Sequence, residues 1–169
     1  MYRMFAFLIL ATACSPSDRN IRHFVPQTQI SQTISRDTEV FRDGKDHISV
    51  RTIVLQGHGK VGYHLSLSVL RGGPNAPIIL SMTSQGEPLA YERHDRLRTF
   101  CIDHCHKAEI GAVSLSKSTF RTAANQGMTI MVHGLRRNYI ATVPPHIFWT
   151  ALDTAGILAP TKPRQFRIP

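Results

Sequence analysis

Residues 61–70, VGYHLSLSVL, alternate apolar with small or polar side chains more regularly than any other stretch of the chain. A period of two is typical of a β-strand with one face against a core and the other toward solvent. The stretch therefore predicts a half-buried antiparallel strand. Its predicted buried face consists of Val61, Tyr63, Leu65, Leu67 and Val69.

The strand has a predicted partner directly before it. Residues 47–56 are rich in β-branched side chains, and Gly57-His58-Gly59-Lys60 interrupts them before the next strand begins. This arrangement predicts a β-hairpin. One face of its first strand consists of Ile48, Val50, Thr52 and Val54. The same reasoning predicts shorter strands at residues 38–42, 78–83, 88–91, 108–115, 128–132 and 139–143.

Two short helices are predicted in the C-terminal half. Ser116 or Ser118 can cap the first helix, and Gly127 ends it. Pro145 occupies the favoured first turn of the second helix, and Gly156 ends that one. The predicted apolar stripes are Phe120, Ala123 and Ala124 in the first helix and Ile147, Phe148, Ala151, Leu152 and Ala155 in the second.

Strands separated by Gly- and Pro-rich turns, with few helices, predict a mainly β (α+β) fold, an antiparallel sandwich or open barrel. The length of 169 residues favours one domain, and 42% hydrophobic residues are enough for a core. We predict a signal peptide at residues 1–13, a flexible tether at 14–37, the β-rich domain at 38–158 and a loose tail at 159–169.

The first residues have the pattern of an export signal. Arg3 precedes a short apolar run, and Ala11-Thr12-Ala13 places small residues before Cys14. The apolar run is far shorter than the ~20 residues that span a bilayer. Residues 15–37 are rich in Ser, Gln, Thr and Asn without periodicity, which is typical of a tether.

Ala11-Thr12-Ala13-Cys14 resembles the lipobox of bacterial lipoproteins, with Ala11 where Leu is commonest. The resemblance implies that Cys14 is acylated, becomes the mature N-terminus and anchors the chain in membrane lipid. Ser15, rather than Asp, then implies an outer-membrane location facing the periplasm. The same residues also form an Ala-x-Ala site for general signal peptidase, so Cys14 is either acylated or only marks the cleavage site.

Cys101 and Cys105 remain once Cys14 is set aside, and the sequence leaves three interpretations of them open. In an oxidising compartment two thiols four residues apart can close a disulfide loop, and this is the interpretation we favour. Cys101-x-x-x-Cys105-His106 also resembles a rare form of the haem c attachment signature, with His106 as axial ligand. A copper or zinc site of Cys101, His104, Cys105 and His106 is the third.

Charge narrows the class of partner. Lys and Arg total 20 against 11 acidic residues, a formal net charge of +9, which favours an anionic envelope polymer or lipid. We expect no nucleic-acid partner; an envelope protein is the other candidate. Arg136 and Arg137 are predicted at an exposed hairpin tip and are the candidate anion-binding residues. Residues 93–98 are predicted to form a charged connection between strands.

The stretch from Leu97 to Leu152 loosely resembles the invasion-associated locus B family. The resemblance rests on the two nearby cysteines, the segment at residues 120–127, a strand pair, and Pro144-x-x-x-Phe148-x-x-Ala151-Leu152. It implies an exported β-sandwich protein without catalysis. We therefore expect a lipid-anchored envelope protein that binds or scaffolds, without cofactor and not an enzyme. The alternative is a small exported redox protein that binds copper, zinc or haem through residues 101–106.

Overall fold

The structure, a computed structural model, describes the backbone of residues 21–25, 29–72, 78–101 and 105–157; side chains are described for these except residues 21–25, 72, 95–101 and 105–107. The elements in chain order are β1 (Ile21–Val25), β2 (Ile30–Ile34), β3 (Thr38–Asp43), β4 (Asp46–Gly57), β5 (Lys60–Gly72), β6 (Ile79–Ser84), β7 (Glu87–Leu89), β8 (Tyr91–Cys101), β9 (Cys105–Leu115), α1 (Lys117–Gln126), β10 (Met128–Gly134), β11 (Asn138–Val143) and α2 (Pro145–Thr154).

The larger sheet has the order β1-β2-β4-β5-β9-β8, and all its pairs are antiparallel. β3 lies on the same edge of β4 as β2, because β2 pairs with residues 53–56 of β4 and β3 with residues 46–50. Ser35 joins the two short strands to β4. Its N–H donates to Thr52 O at 2.9 Å, and its Oγ accepts from Thr52 N at 2.8 Å.

The smaller sheet has the order β11-β10-β6-β7 and is also antiparallel. β7 is short and pairs only with residues 82–84 of β6. The start of β6 therefore has β10 on one side and no β7 residue on the other. Val132 of β10, paired with Met82, is fully buried, so one face of this sheet belongs to the core.

One core joins the two sheets and both helices. The predicted alternation of β4 and β5 is confirmed: the predicted face of β4 is buried, and so is that of β5 except Val61, which is 42% exposed. The buried members of the two faces are Ile48, Val50, Thr52, Val54, Tyr63, Leu65, Leu67 and Val69. The mainly β fold, antiparallel, sandwich-like and with two short helices, is as the sequence predicts.

Both helices carry the predicted stripes into the core. Ser116 caps α1, accepting a hydrogen bond from Thr119 N at 3.0 Å. Phe120 of α1 and Phe148 of α2 meet edge to face, with ring centres 5.1 Å apart. Gly127 follows α1 with a φ of +79°, and a Cβ there would come within 2.8 Å of Val143 O, so this position requires glycine.

The predicted tether requires a correction. The sheet includes β1 and β2, which lie within residues 14–37, and Thr33 of β2 is fully buried. The domain therefore begins before residue 38. Because Thr33 is the one fully buried residue of β2, the strand shows no apolar periodicity and its sequence looks like a linker. The predicted signal peptide, the tether before residue 21 and the tail at 159–169 lie outside the described residues.

The predicted connection at residues 93–98 is also wrong, because these residues belong to β8. The register of β8 against β9 shifts twice, between Arg93 and Asp95 and between Arg96 and Arg98. Such bulges break the alternation on which a strand prediction depends. β8 is moreover an edge strand, where charged residues are common. Neither helix in the described part of the chain is long and apolar enough to cross a membrane.

Candidate functional site

A buried ion pair links the two sheets. Glu109 of β9 is 1% exposed, and its Oε1 accepts from Arg93 Nε at 2.8 Å and from Tyr91 OH at 3.1 Å. Burial, followed by the neighbouring Glu109 carboxylate, raises the pKa of the Tyr91 phenol, so Tyr91 acts as a hydrogen-bond donor. A carboxylate at this depth is stable only when it is paired and hydrogen-bonded, and Arg93 and Tyr91 meet that requirement.

The same pair satisfies the backbone of Ile79 at the start of β6. Ile79 N donates to Glu109 Oε2 at 3.2 Å, and Ile79 O accepts from Arg93 Nη2 at 2.7 Å. β7 does not extend to this point, and buried backbone groups need partners. The two side chains thus take the place of a neighbouring strand and fix β6 to the β8–β9 hairpin.

At one end of the domain, residues 43–46, 134–138 and Ile78 lie together; we call it the arginine end. Arg137 pairs there with Asp43 and with Asp46, the latter at 3.4 Å. Its guanidinium carbon lies 5.9 Å from the ring centre of Phe41 and 5.4 Å from that of Tyr139. The hydrogen bond to Asp43 raises the pKa of Arg137, so this side chain stays charged and joins the turn after β10 to the turn after β3.

Arg136 is in a different situation. It is exposed, and no hydrogen-bond or ion-pair partner is found for it among the described residues. A narrow surface crevice runs between Arg71, Arg136 and Arg137, and the aliphatic side chains of Ile78 and Leu135 line it as well. Of the two predicted anion-binding residues, Arg137 is already occupied by two carboxylates, whereas Arg136 is free to meet an anion.

Exposed aliphatic side chains line this crevice and continue on the neighbouring strands of the smaller sheet. The turn residue Leu135 is 59% exposed and Leu80 of β6 is 61% exposed. Leu135 N donates to Ile78 O at 2.9 Å, which places the β10–β11 turn directly beside the start of β6. Ile140 of β11, on the outer side of the same sheet, is 60% exposed. We call Ile78, Leu80, Leu135 and Ile140 the apolar face.

The cysteine stretch lies where β8 ends and β9 begins. Cys101 is the last residue of β8, Cys105 the first of β9, and the register places them directly opposite each other. The backbone of His106 pairs with Phe100 and Gly72. His104 and Cys14 lie outside the described residues, and the side chains of Cys101, Cys105 and His106 are not described. The disulfide and the metal or haem alternatives therefore remain predictions.

A surface hollow of about 580 Å³ lies between the start of β5 and the junction of β9 with α1. His64 Nδ1 lies 3.2 Å from Ser114 Oγ at its floor, and Ser116 and Lys117 line it. Partial burial, followed by the nearby His94, lowers the pKa of His64. Ser116 is already committed to capping α1, and the Ser–His pair is exposed to water.

No family model, curated protein or solved structure matches this chain. The resemblances noted in the sequence are therefore expectations about this chain. Among the described side chains, which do not include those of residues 101–106, no group of three or more His, Cys, Asp or Glu residues could hold a metal ion.

Sequence reasoning missed the roles of Arg93, Glu109 and Arg137. The partners of Arg137 are 91 and 94 residues away in the chain, so no local motif announces them. Glu109 did carry a signal: a lone acid within the apolar strand at residues 108–115. A charge at such a position needs a buried partner, and Arg93 is one of the few arginines on the neighbouring predicted strands and connections.

Proposed function

We propose that this chain is a lipid-anchored protein of the bacterial cell envelope, held in the outer membrane facing the periplasm, whose β domain binds or scaffolds. The anchor is Cys14, as the lipobox resemblance implies. A binding role agrees with the arginine end, where Arg136, which has no partner among the described residues, lies beside exposed aliphatic side chains. Such combinations of charge and exposed apolar surface are typical of interaction sites.

The observation that carries the proposal is the position of the two cysteines. Residues directly opposite in an antiparallel pair have Cα atoms ~4.5–5.5 Å apart, and a disulfide requires ~4.4–6.8 Å. The Cys101–Cys105 register therefore fits a disulfide across the end of the hairpin. Disulfides persist in oxidising compartments such as the periplasm, so this geometry supports an exported protein.

Intact-mass analysis of the protein from a Gram-negative host tests the proposal. We expect a chain that begins at Cys14, carries acyl groups, and is two hydrogens lighter than the reduced form. Ser15→Asp is a matched control, since the lipoprotein resemblance implies that it would retain the anchored protein in the inner membrane. A chain that keeps Met1, with free thiols at positions 101 and 105, would refute the proposal. A haem adduct, or stoichiometric copper or zinc, would favour the redox alternative instead.

A further inference from the structure

The exposed aliphatic side chains of the domain are concentrated in one place. Five large hydrophobic residues are exposed in the described part of the chain, and four of them form the apolar face. Ile78 and Leu80 are both exposed, one on each side of the buried Ile79 at the start of β6. Ile140 occupies the outer side of β11, between buried Tyr139 and Ala141. Single exposed hydrophobics need no explanation, but Ile78, Leu80 and Leu135 lie together around the start of β6, with Ile140 on the outer side of the same sheet, and apolar surface of this kind beside charged groups indicates a contact surface.

Charge at the same location is positive. Lys45, Arg136 and Arg137 are the described basic side chains of the arginine end, and Arg71 lines the crevice beside them, against the acidic Asp43 and Asp46. Because Arg137 holds both carboxylates, the other three basic groups have no acidic partner among the described residues. A partner must therefore offer both negative charge and an apolar environment for aliphatic side chains.

We infer that the apolar face and Arg136 dock on an anionic phospholipid bilayer, an inference that rests on the proposed function and specifies its binding surface. Phosphate groups above a hydrocarbon layer offer Arg136 and Arg71 a counter-charge while Leu135, Ile78 and Leu80 enter the interface. A polysaccharide or nucleic acid offers only the charge. The bilayer thus accounts for both properties of this end.

The position of the anchor permits this contact. Seven residue steps separate Cys14 from Ile21, a span of at most ~24 Å. Ile21 pairs with Ile34, which pairs with Ile53 of β4. Asp46, at the arginine end, is seven residues from Ile53 along β4, about 23 Å. An acylated Cys14 and the arginine end can therefore reach the same membrane.

Vesicle binding of the mature chain, which begins at residue 14 and carries Cys14→Ser, tests the inference without the acyl groups or the apolar signal segment. The probes are vesicles of phosphatidylcholine alone and of phosphatidylcholine with phosphatidylglycerol, at low and high salt. We expect binding to the anionic vesicles only, weakened by salt. Leu135→Gln should reduce the affinity about fivefold through lost apolar burial, and Arg136→Gln about fivefold through one lost charge.

Two matched variants separate this surface from general charge and hydrophobicity. Val61→Gln alters the exposed aliphatic outside the apolar face, and Arg121→Gln removes an exposed arginine of α1. Both should leave the affinity unchanged, and the N-terminal segment, common to all variants, cancels in the comparison. Thermal unfolding confirms that each variant is folded.

Absence of binding to anionic vesicles overturns the inference and leaves the acylation at Cys14 to be judged by mass. Equal losses in the face and control variants also overturn it, because binding would then follow total charge. Sedimentation of the same proteins measures their oligomeric state. A dimer that Leu135→Gln dissociates would assign the apolar face to a second copy of the chain and refute the bilayer contact.

Discussion

Removal of Arg93 is the perturbation for which the structure gives the most definite expectation. Arg93→Met keeps the length of the side chain but leaves Glu109, 1% exposed, with two neutral donors only. It also leaves Ile79 O without its donor. Breaking a buried pair by removing one partner costs ~3–5 kcal/mol. Because Arg93 is 27% exposed, we expect the lower part of that range, about 3 kcal/mol.

The double variant Arg93→Met/Glu109→Met distinguishes a coupled pair from two independent contacts. Glu109→Met alone leaves Ile79 N and Tyr91 OH unpaired, at about 1–3 kcal/mol for each buried group. The double variant removes both buried charges, so its cost should fall at least about 2 kcal/mol below the sum of the single variants. It should not reach zero, because both backbone groups of Ile79 stay unpaired.

Urea denaturation followed by circular dichroism measures all three free energies of unfolding, with Arg121→Met as the control for loss of an exposed arginine. A loss of about 3 kcal/mol corresponds to a melting temperature roughly 10 °C lower for a domain of this size. If the two single losses add within about 0.5 kcal/mol, or Arg93→Met costs less than about 1 kcal/mol, the pair does not hold Ile79 as the geometry indicates.

Three further predictions concern other described side chains. Gly111→Ala places a Cβ against the Tyr91 ring and should cost about 1–3 kcal/mol by overpacking, as chemical denaturation would show. Thr33→Val should raise the melting temperature, because no described residue pairs with the buried Thr33 Oγ1 and a methyl group removes that cost. Hydrogen bonds from Arg42 and then His47 lower the pKa of Glu39 from 4.5 to about 2. Its stabilisation is therefore complete above pH 4.5 and lost as pH falls toward 2, and Glu39→Gln should flatten that part of a stability–pH curve.

The sequence predicts the strands whose burial follows a strict alternation. β4 and β5 lie in the middle of the larger sheet, where one face must be apolar. The alternation of their residues therefore shows directly which side chains face the core. The helix stripes and the Ser116 cap are likewise local features. The fold class can be predicted from these elements because the residue pattern of each one shows which of its faces is buried.

Two strands, β8 and β2, are harder to predict from the sequence for a physical reason. Among the described strands β8 has a neighbour on one side only, and it contains two bulges and directs Arg93 to a buried carboxylate. Its alternation is broken and its charges resemble those of a loop. β2 buries Thr33 instead of an aliphatic residue, so it resembles a linker. In both strands, pairing with a distant segment outweighs the local pattern.

The candidate site divides in the same way. Arg136 is at the predicted hairpin tip, and Cys101 and Cys105 are close enough in sequence for their opposition to be foreseen. The apolar face could not be foreseen, because Ile78 and Leu135 become neighbours only when β6 pairs with β10. Each of these aliphatics looks like an ordinary core residue in its own segment.

The buried ion pair connects these two parts of the candidate site. Arg93 and Glu109 belong to the hairpin that carries the cysteines, and they hold the backbone of Ile79, which is flanked by two members of the apolar face. A contact surface made of aliphatic side chains needs a fixed backbone, since ordering a mobile one would oppose binding. The pair has no net charge, so its effect on a membrane contact must be geometric. The double variant Arg93→Met/Glu109→Met leaves the net charge unchanged, so it should weaken vesicle binding by a salt-independent factor, whereas loss of Arg136 should weaken it most at low salt.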